Sequence, residues 1–490
     1  MNATEAKKER KFLWLFVATA AMIIILILPT PETLPEIGHR ALAILVFAII
    51  LWMSEAVSYP VSSAMIIGLI AVILGMGPTL EDPMATLGTG PALQMALAGF
   101  SSSAVILVAG ALFIAAAMQA TNLHKRIALV ILTKVGSKTK AIIVGTILVS
   151  FILALFVPSA AARGGALVPI LLGMVAAFGM AKTSKLASLL IITATQANSI
   201  WNIGIKTAAA QNMVALGFIE ETFGITISWG EWFIYAAPWS VIMSILLYFI
   251  MLKVIPPETK VIEDGQNLAK KQLDELGALT NVEKRLIGIS LMLLFFWSTE
   301  GFVHNIDTTT VTLIAVAIML TPKIGVLDWA QAERTIPWGT IIVFAVGISL
   351  GKILLSTEAA TWLANGFFDL LGIGGMPLLG LIALLSVFNI IIHLGFASAT
   401  SLASALIPIF IALATTMHGD FNTIGLIIIQ QFVISFNFLL PINAPQNMLA
   451  YGTETFTAKD FLKSGIPLTI AGFLLIMLFS ATYWKWIGLL

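Results

Sequence analysis

The chain has 490 residues, of which 59% are hydrophobic and only 10% are charged, with a mean hydropathy of +1.00. Soluble domains carry about 25% charged residues, so the composition excludes a soluble protein and indicates many membrane spans. A net charge of +1 argues against a nucleic-acid surface, and the absence of cysteine excludes disulfides, cysteine nucleophiles and thiolate metal sites.

The first apolar run starts at Phe12, behind Lys7, Lys8, Arg10 and Lys11. It lacks a small-residue cleavage site and leads into further spans, which predicts an anchor and not a removed signal peptide. The absence of a transit-like leader before Phe12 points to a bacterial cell (inner) membrane. A span needs roughly 20 apolar residues, and on that ruler the candidates are about 12–29, 41–58, 61–77 and 102–120. A hairpin at 141–180, a broken span at 186–217 and a span at 233–254 follow. The stretch 255–284 is the most hydrophilic and reads as a cytoplasmic linker. Beyond it come about 285–303, 308–321, 338–355, a hairpin at 376–418, a broken span at 422–452 and a last span at 466–488.

The expected fold is therefore an all-α polytopic membrane protein with eleven transmembrane helices and two re-entrant hairpins. It divides into an N-terminal segment with the first span (1–40), a first repeat (41–254), the linker (255–284) and a second repeat (285–490). With the N-terminus cytoplasmic and the C-terminus outside, most of the 26 basic residues fall in cytoplasmic segments, as membrane insertion favours. The two hairpins then enter from opposite sides, which is the sign of an inverted repeat. Internal similarity supports it. Ala166-Leu167-Val168-Pro169-Ile170 matches Ala405-Leu406-Ile407-Pro408-Ile409, and Ser159-Ala160-Ala161 pairs with Ser398-Ala399-Thr400 at the same spacing. Farther on, the stretch Ala208 to Gly217 matches Asn443 to Gly452 at nearly that spacing.

Four interruptions carry the chemistry: 158–165, 206–212, 397–404 and 441–447. Where a membrane helix is interrupted, the N-terminus of the next half-helix presents free N–H groups and partial positive charge, and so binds anions. Small residues let a ligand approach the backbone. Ser159, Ser398, Thr400 and Ser401 add hydroxyls, and Gln211, Asn212, Asn443 and Gln446 add amides. The plainer reading of any one break is close helix packing; four paired breaks favour a binding site.

Arg163 is the sharpest residue. A central arginine costs about 2.5–3.5 kcal/mol on insertion scales, and a bound carboxylate in bidentate geometry would compensate it; snorkelling to the interface is the alternative. His393 lies in the matching arm of the second hairpin and is either a packing residue or part of the site. Lys206 opens the first broken turn and is either a third cation near the ligand or an interface lysine. No acidic residue occupies any of the four breaks, so neither a metal nor a cofactor is implied, and the ligand is expected to be an anion.

At these residues the chain resembles the divalent anion/sodium symporter family of di- and tricarboxylate transporters. The resemblance covers essentially the whole chain, and its most specific pieces are Ser159-Ala160-Ala161, Ser398-Ala399-Thr400 and Pro441-Ile442-Asn443-Ala444-Pro445-Gln446-Asn447. It implies a homodimer, a scaffold domain and an elevator-type transport domain, with surface helices near 123–137 and 357–372 as connecting arms. It further implies substrate contacts at Ser159, Ala160, Ala161, Arg163, Ser398, Ala399, Thr400, Asn443, Ala444 and Pro445. The family signature at each hairpin tip is Ser-Asn-Thr, and this chain departs from it. Ala160 and Ala399 replace both asparagines, and Ala161 replaces the first threonine. The run from Ser159 to Gly165 is similar instead to the exchanger branch, which includes plastid 2-oxoglutarate/malate translocators and bacterial citrate/succinate antiporters.

A physical argument joins these observations. A dicarboxylate needs its charge neutralised to cross a low-dielectric layer. A symporter recruits sodium and releases it; a fixed arginine cannot be released. The empty carrier then holds uncompensated charge and crosses slowly, which is obligatory exchange. The expectation is sodium-independent antiport of C4/C5 dicarboxylates, with a sodium-coupled symporter as the alternative. An anion channel or an intramembrane enzyme fits less well, the latter having only His393 near Ser398 to offer as a reactive pair.

Overall fold

The computed structural model describes residues 3–177, 179–261, 265–371, 376–416 and 421–490. Residues 1–2, 178, 262–264, 372 and 417–418 belong to the expected N-terminal segment, hairpins, linker and second arm, and lie outside the described residues. The first half runs α1 (Ala3–Ile27), α2 (Glu36–Ser54), α3 (Tyr59–Leu69, extended by a π-helical turn Ile70–Leu74), α4 (Thr89–Leu97), α5 (Ser103–Ala120) and α6 (Leu123–Val135). It continues with α7 (Thr139–Phe156), α8 (Ala160–Ala177), α9 (Lys185–Gly204), α10 (Ala210–Phe223) and α11 (Trp229–Val254). After α12 (Gly265–Glu275) come α13 (Asn281–Thr299), α14 (Thr308–Leu320), α15 (Trp329–Thr335), α16 (Trp338–Ser356) and α17 (Ala359–Leu371). The chain closes with α18 (Leu378–His393), α19 (Ala399–Thr416), α20 (Thr423–Ile434), α21 (Pro445–Tyr451), α22 (Ala458–Ala481) and α23 (Tyr483–Trp486). Among the described residues there is no strand, and nine helices are long and apolar enough to cross a membrane.

Helix boundaries at the breaks follow from local chemistry. Val157 is extended (φ −120°, ψ 94°), as a residue before proline prefers, and Pro158 has no N–H with which to continue α7. The interruption is shorter than its small-residue composition implies. Helix α8 resumes at Ala160 and α19 at Ala399, so Ala160, Ala161, Arg163, Ala399 and Thr400 occupy first helical turns and not irregular backbone. Alanine is the strongest helix former, and a missing side chain here serves packing. A Cβ on Gly164 would stand 3.5 Å from Gln446 Cβ, ordinary contact distance, which places α21 directly against α8.

Each hairpin is shared between the halves. Helix α8 packs on α9 of its own half and on α21 of the other, while α19 packs on α20 and on α10. Helices α5 and α16 lie along this group through small residues. A Cβ on Gly347 of α16 would fall 2.5 Å from Ser404 Oγ of α19, and one on Gly351 would strike Phe218 of α10 at 2.4 Å. The linker is more than a tether. Helix α12 packs on α6 and α8, and Arg126 of α6 ties its exit to α13 through Glu283 (2.6 Å) and the Gly277 carbonyl (3.0 Å).

Candidate functional site: the hairpin tips and broken spans

Both broken spans use the same clip. Each is interrupted by a single 3₁₀ turn, Lys206–Ala208 in the first half and Pro441–Asn443 in the second. Such a break leaves carbonyls of the first half-helix without partners. In the first half Asn212 Nδ2 donates to the Asn202 carbonyl ten residues earlier (2.7 Å) and to Ile205 seven earlier (3.2 Å). In the second half Asn447 Nδ2 donates to Asn437 ten earlier (2.7 Å) and to Leu440 seven earlier (3.4 Å). The amides hold each bent span as one rigid piece.

The hairpin tips are tied to these breaks by different means. In the second half Asn443 Nδ2 donates to the His393 (2.7 Å) and Phe396 (3.0 Å) carbonyls of the tip. The alignment of the halves pairs Asn443 with Ala208 and Phe396 with Val157, and Ala208 has no amide to offer. Arg163 takes its place. Its Nη1 donates to the Val157 (2.7 Å) and Ala208 (3.0 Å) carbonyls, joining first tip to first break. Nε donates to Asn198 Oδ1 (2.7 Å) and Nη2 to Asn202 Oδ1. Arginine is 2% exposed here, its acceptors are all neutral, and among the described residues no carboxylate is paired with it. With four of the five N–H groups held by protein oxygens, the guanidinium has no free pair of donors for the bidentate carboxylate contact that the sequence allowed.

The other expected site residues divide into three groups. Ser159 Oγ accepts from Ala162 N (3.3 Å) and Ser398 Oγ from Ser401 N (3.3 Å), so both hydroxyls cap helix N-termini at the tips. Ala160, Ala161 and Thr400 are half-buried beside them, Ala399, Asn443 and Ala444 are buried, and Pro445 is exposed. Gln211 bonds Ser435 Oγ (3.3 Å), Gln446 bonds Ser199 Oγ (3.3 Å), and Asn212 accepts from Gln431 (3.3 Å); these amides stitch the two broken spans together. Lys206 stands apart. Its Nζ donates to the Ile227 carbonyl (2.6 Å), and it lines a cavity of about 380 Å³ with Glu220, Glu300 and Asp307. These carboxylates share the cavity with the ammonium, and among the described residues none is paired with it.

His393 is 2% exposed, and its ring faces the Asn443 carbonyl and the Asn437 side chain. Neither approach has full hydrogen-bond geometry, so both ring nitrogens and Asn437 Oδ1 are buried and unpaired. Asn437 aligns with Asn202, the acceptor of Arg163. The second half thus offers a neutral acceptor and a titratable ring where the first has a fixed cation.

Pro158, Thr207, Ala209 and Ala210 face Leu107, Ala111 and Leu112 of α5 across a cavity of about 20 Å³. That space admits about one water molecule. It shares Leu107 and Met213 with the larger cavity that Lys206 lines, so the two lie on either side of the same stretch of α5 and α10. Asn198 and Asn202 were not singled out from sequence. The signal was present: two amides four apart in an apolar run, on one helical face. Among the described residues no cluster of histidine and acidic side chains is placed to hold a metal.

Comparison with known proteins adds what geometry does not. Residues 9–490 match the family described as the sodium:sulfate symporter transmembrane region. The chain belongs to that family. Members are transporters and not enzymes, and this chain is a multi-pass integral membrane protein. A membrane protein of Cupriavidus necator is 50% identical over 474 residues, covering 97% of this chain and 92% of the relative. The sodium-dependent dicarboxylate transporter SdcS of Staphylococcus saprophyticus is 25% identical, covering 96% and 92%. The L-tartrate/succinate antiporter of Escherichia coli is 26% identical, covering 97% and 99%. Among solved structures, the Alcanivorax borkumensis YdaH transporter superposes with a TM-score of 0.56 at 15% identity, covering 93% of this chain and 99% of its own. That likeness concerns the fold, an all-α polytopic one.

Proposed function

We propose that the protein exchanges C4/C5 dicarboxylates of the 2-oxoglutarate, malate, succinate and fumarate class by sodium-independent antiport. The observation that carries this reading is the Arg163 cage. A guanidinium held by four neutral oxygens at the junction of first tip and first break is a permanent, immobile positive charge. Helices α8 and α10 begin at that tip and break, and α19 at the second tip, and each adds the partial positive charge of its N-terminus. The anion is held by the hydroxyls and N–H groups of the tips, and Arg163 supplies the field that a travelling cation supplies elsewhere. His393 is buried with an unpaired ring, and burial disfavours a charged imidazole, so a second positive charge there requires the negative charge of a loaded dianion.

The substrate class comes from the tartrate/succinate and dicarboxylate relatives. In the elevator reading α7–α11 and α18–α22 form the moving domain, α2–α5 and α13–α16 the scaffold, and two protomers pair through scaffolds. With the N-terminus cytoplasmic and the C-terminus outside in a bacterial inner membrane, the 380 Å³ cavity beside Lys206 lies toward the outer side. Sodium-coupled symport is the second reading, favoured by the sodium-dependent relative. Uptake into loaded and empty vesicles, with and without sodium, separates the two. Arg163→Gln tests the guanidinium itself. It is expected to abolish counter-exchange in proteoliposomes while the protein still elutes as a folded dimer; near-normal exchange by that variant removes Arg163 from the mechanism.

A further inference from the structure

Helix α10 ends in two acids. Glu220 and Glu221 lie in its last turn, where the partial negative charge of a helix C-terminus disfavours carboxylates, so their position needs another source of stabilisation. Consecutive residues project about 100° apart around a helix, and these two reach different neighbours. Ser103 Oγ, at the start of α5, donates to Glu220 Oε2 (2.5 Å). Lys352 Nζ, near the end of α16, forms an ion pair with Glu221 Oε2. A lysine in an apolar spanning helix is costly without a counter-charge, and Glu221 supplies it. Small residues let the three helices close up here. A Cβ on Gly217 of α10 would lie 2.8 Å from Ala104 Cβ of α5, and one on Gly351 of α16 would strike Phe218 of α10. In the elevator reading α10 moves while α5 and α16 stay. Among the described residues, Lys352–Glu221 is then the ion pair that crosses from scaffold to moving domain, and the other pairs do not.

We propose that Glu221 and Lys352, backed by Glu220 and Ser103, form a latch that holds the moving domain against the scaffold in the arrangement seen in this structure. The inference rests on the elevator reading and is the same whether charge is coupled by exchange or by sodium. Sliding α10 along α16 by about one helical turn, ~5.4 Å, separates the two charges, so the pair belongs to one end of the movement. Both side chains are half-buried, and water replaces each partner as the pair opens. That suits a contact made and broken in every cycle. A fully buried pair would leave each charge without solvent on opening, at a much larger cost.

The chain has no cysteine, so Ser103→Cys with Glu220→Cys places a single thiol pair across this boundary and leaves Glu221 and Lys352 intact. A short bifunctional methanethiosulfonate is expected to join the two thiols and to stop labelled succinate uptake into succinate-loaded proteoliposomes, with dithiothreitol restoring it. On that background Lys352→Glu is expected to slow cross-linking about fivefold, the factor that about 1 kcal/mol represents, and Lys352→Gln to slow it less. Adding Glu221→Lys to Lys352→Glu restores opposite charges and is expected to return cross-linking to within about twofold of the parent. Cross-linking that neither Lys352 variant slows, or that stays slow in the double reversal, overturns the latch. Full exchange by the cross-linked protein is a different failure: α5 and α10 would then have no need to separate, and the elevator reading itself would fall.

Discussion

A buried arginine without a carboxylate is the residue from which the rest of this site follows. Its charge is stabilised by dipoles alone: two asparagine side chains on α9 and two backbone carbonyls at the tip and the break. Hydrogen bonds to a charged group are worth about 1.5–3 kcal/mol each, and a buried donor left without its acceptor costs about 1–3 kcal/mol. Asn202→Ala removes the Nη2 acceptor without changing charge. It is expected to lower stability by about 1–3 kcal/mol and to slow exchange, read as a lower midpoint in thermal unfolding together with flux. An unchanged midpoint would mean that Asn202 does not hold the guanidinium. Sequence made Arg163 conspicuous but not its partners. A lone arginine in an apolar arm is visible at once, whereas Asn198 and Asn202 lie 35 and 39 positions away on another helix. Their role is set by packing.

Helix starts and stops were legible wherever a single residue decides them. Pro158 ends α7, and the Pro441–Asn443 turn interrupts the second broken span. They were misread where composition is ambiguous. The small residues at 160–165 and 399–404 suit both an open backbone and a tightly packed helix, and contact with neighbouring helices makes them helical. Helices α4, α12 and α15 were not anticipated because they are too short to read as spans; α12 packs on α6 and α8. Small residues also shape the boundary between α16 and α19. Gly347→Leu adds a side chain where even a Cβ would meet Ser404 Oγ at 2.5 Å, and overpacking costs about 1–3 kcal/mol. If this boundary is the sliding surface, exchange should fall sharply while succinate affinity measured by calorimetry is retained. A parallel loss of affinity would instead locate Gly347 in the binding site.

At the scale of the molecule, the polytopic all-α fold was readable from the lengths of the apolar runs and the paired motifs. The sharing of each hairpin between halves was not, because α8 on α21 and α19 on α10 are contacts between segments far apart in the chain. Through that sharing, each hairpin arm packs on a broken span of the other half. In the proposed exchange, charge is carried by a guanidinium that never leaves, and not by sodium that travels. The most direct measurement follows labelled 2-oxoglutarate uptake into proteoliposomes, loaded with succinate or empty, with and without sodium. Rapid uptake only into loaded vesicles, at the same rate in sodium and in its absence, is the predicted result; uptake into empty vesicles that rises steeply with sodium would contradict it.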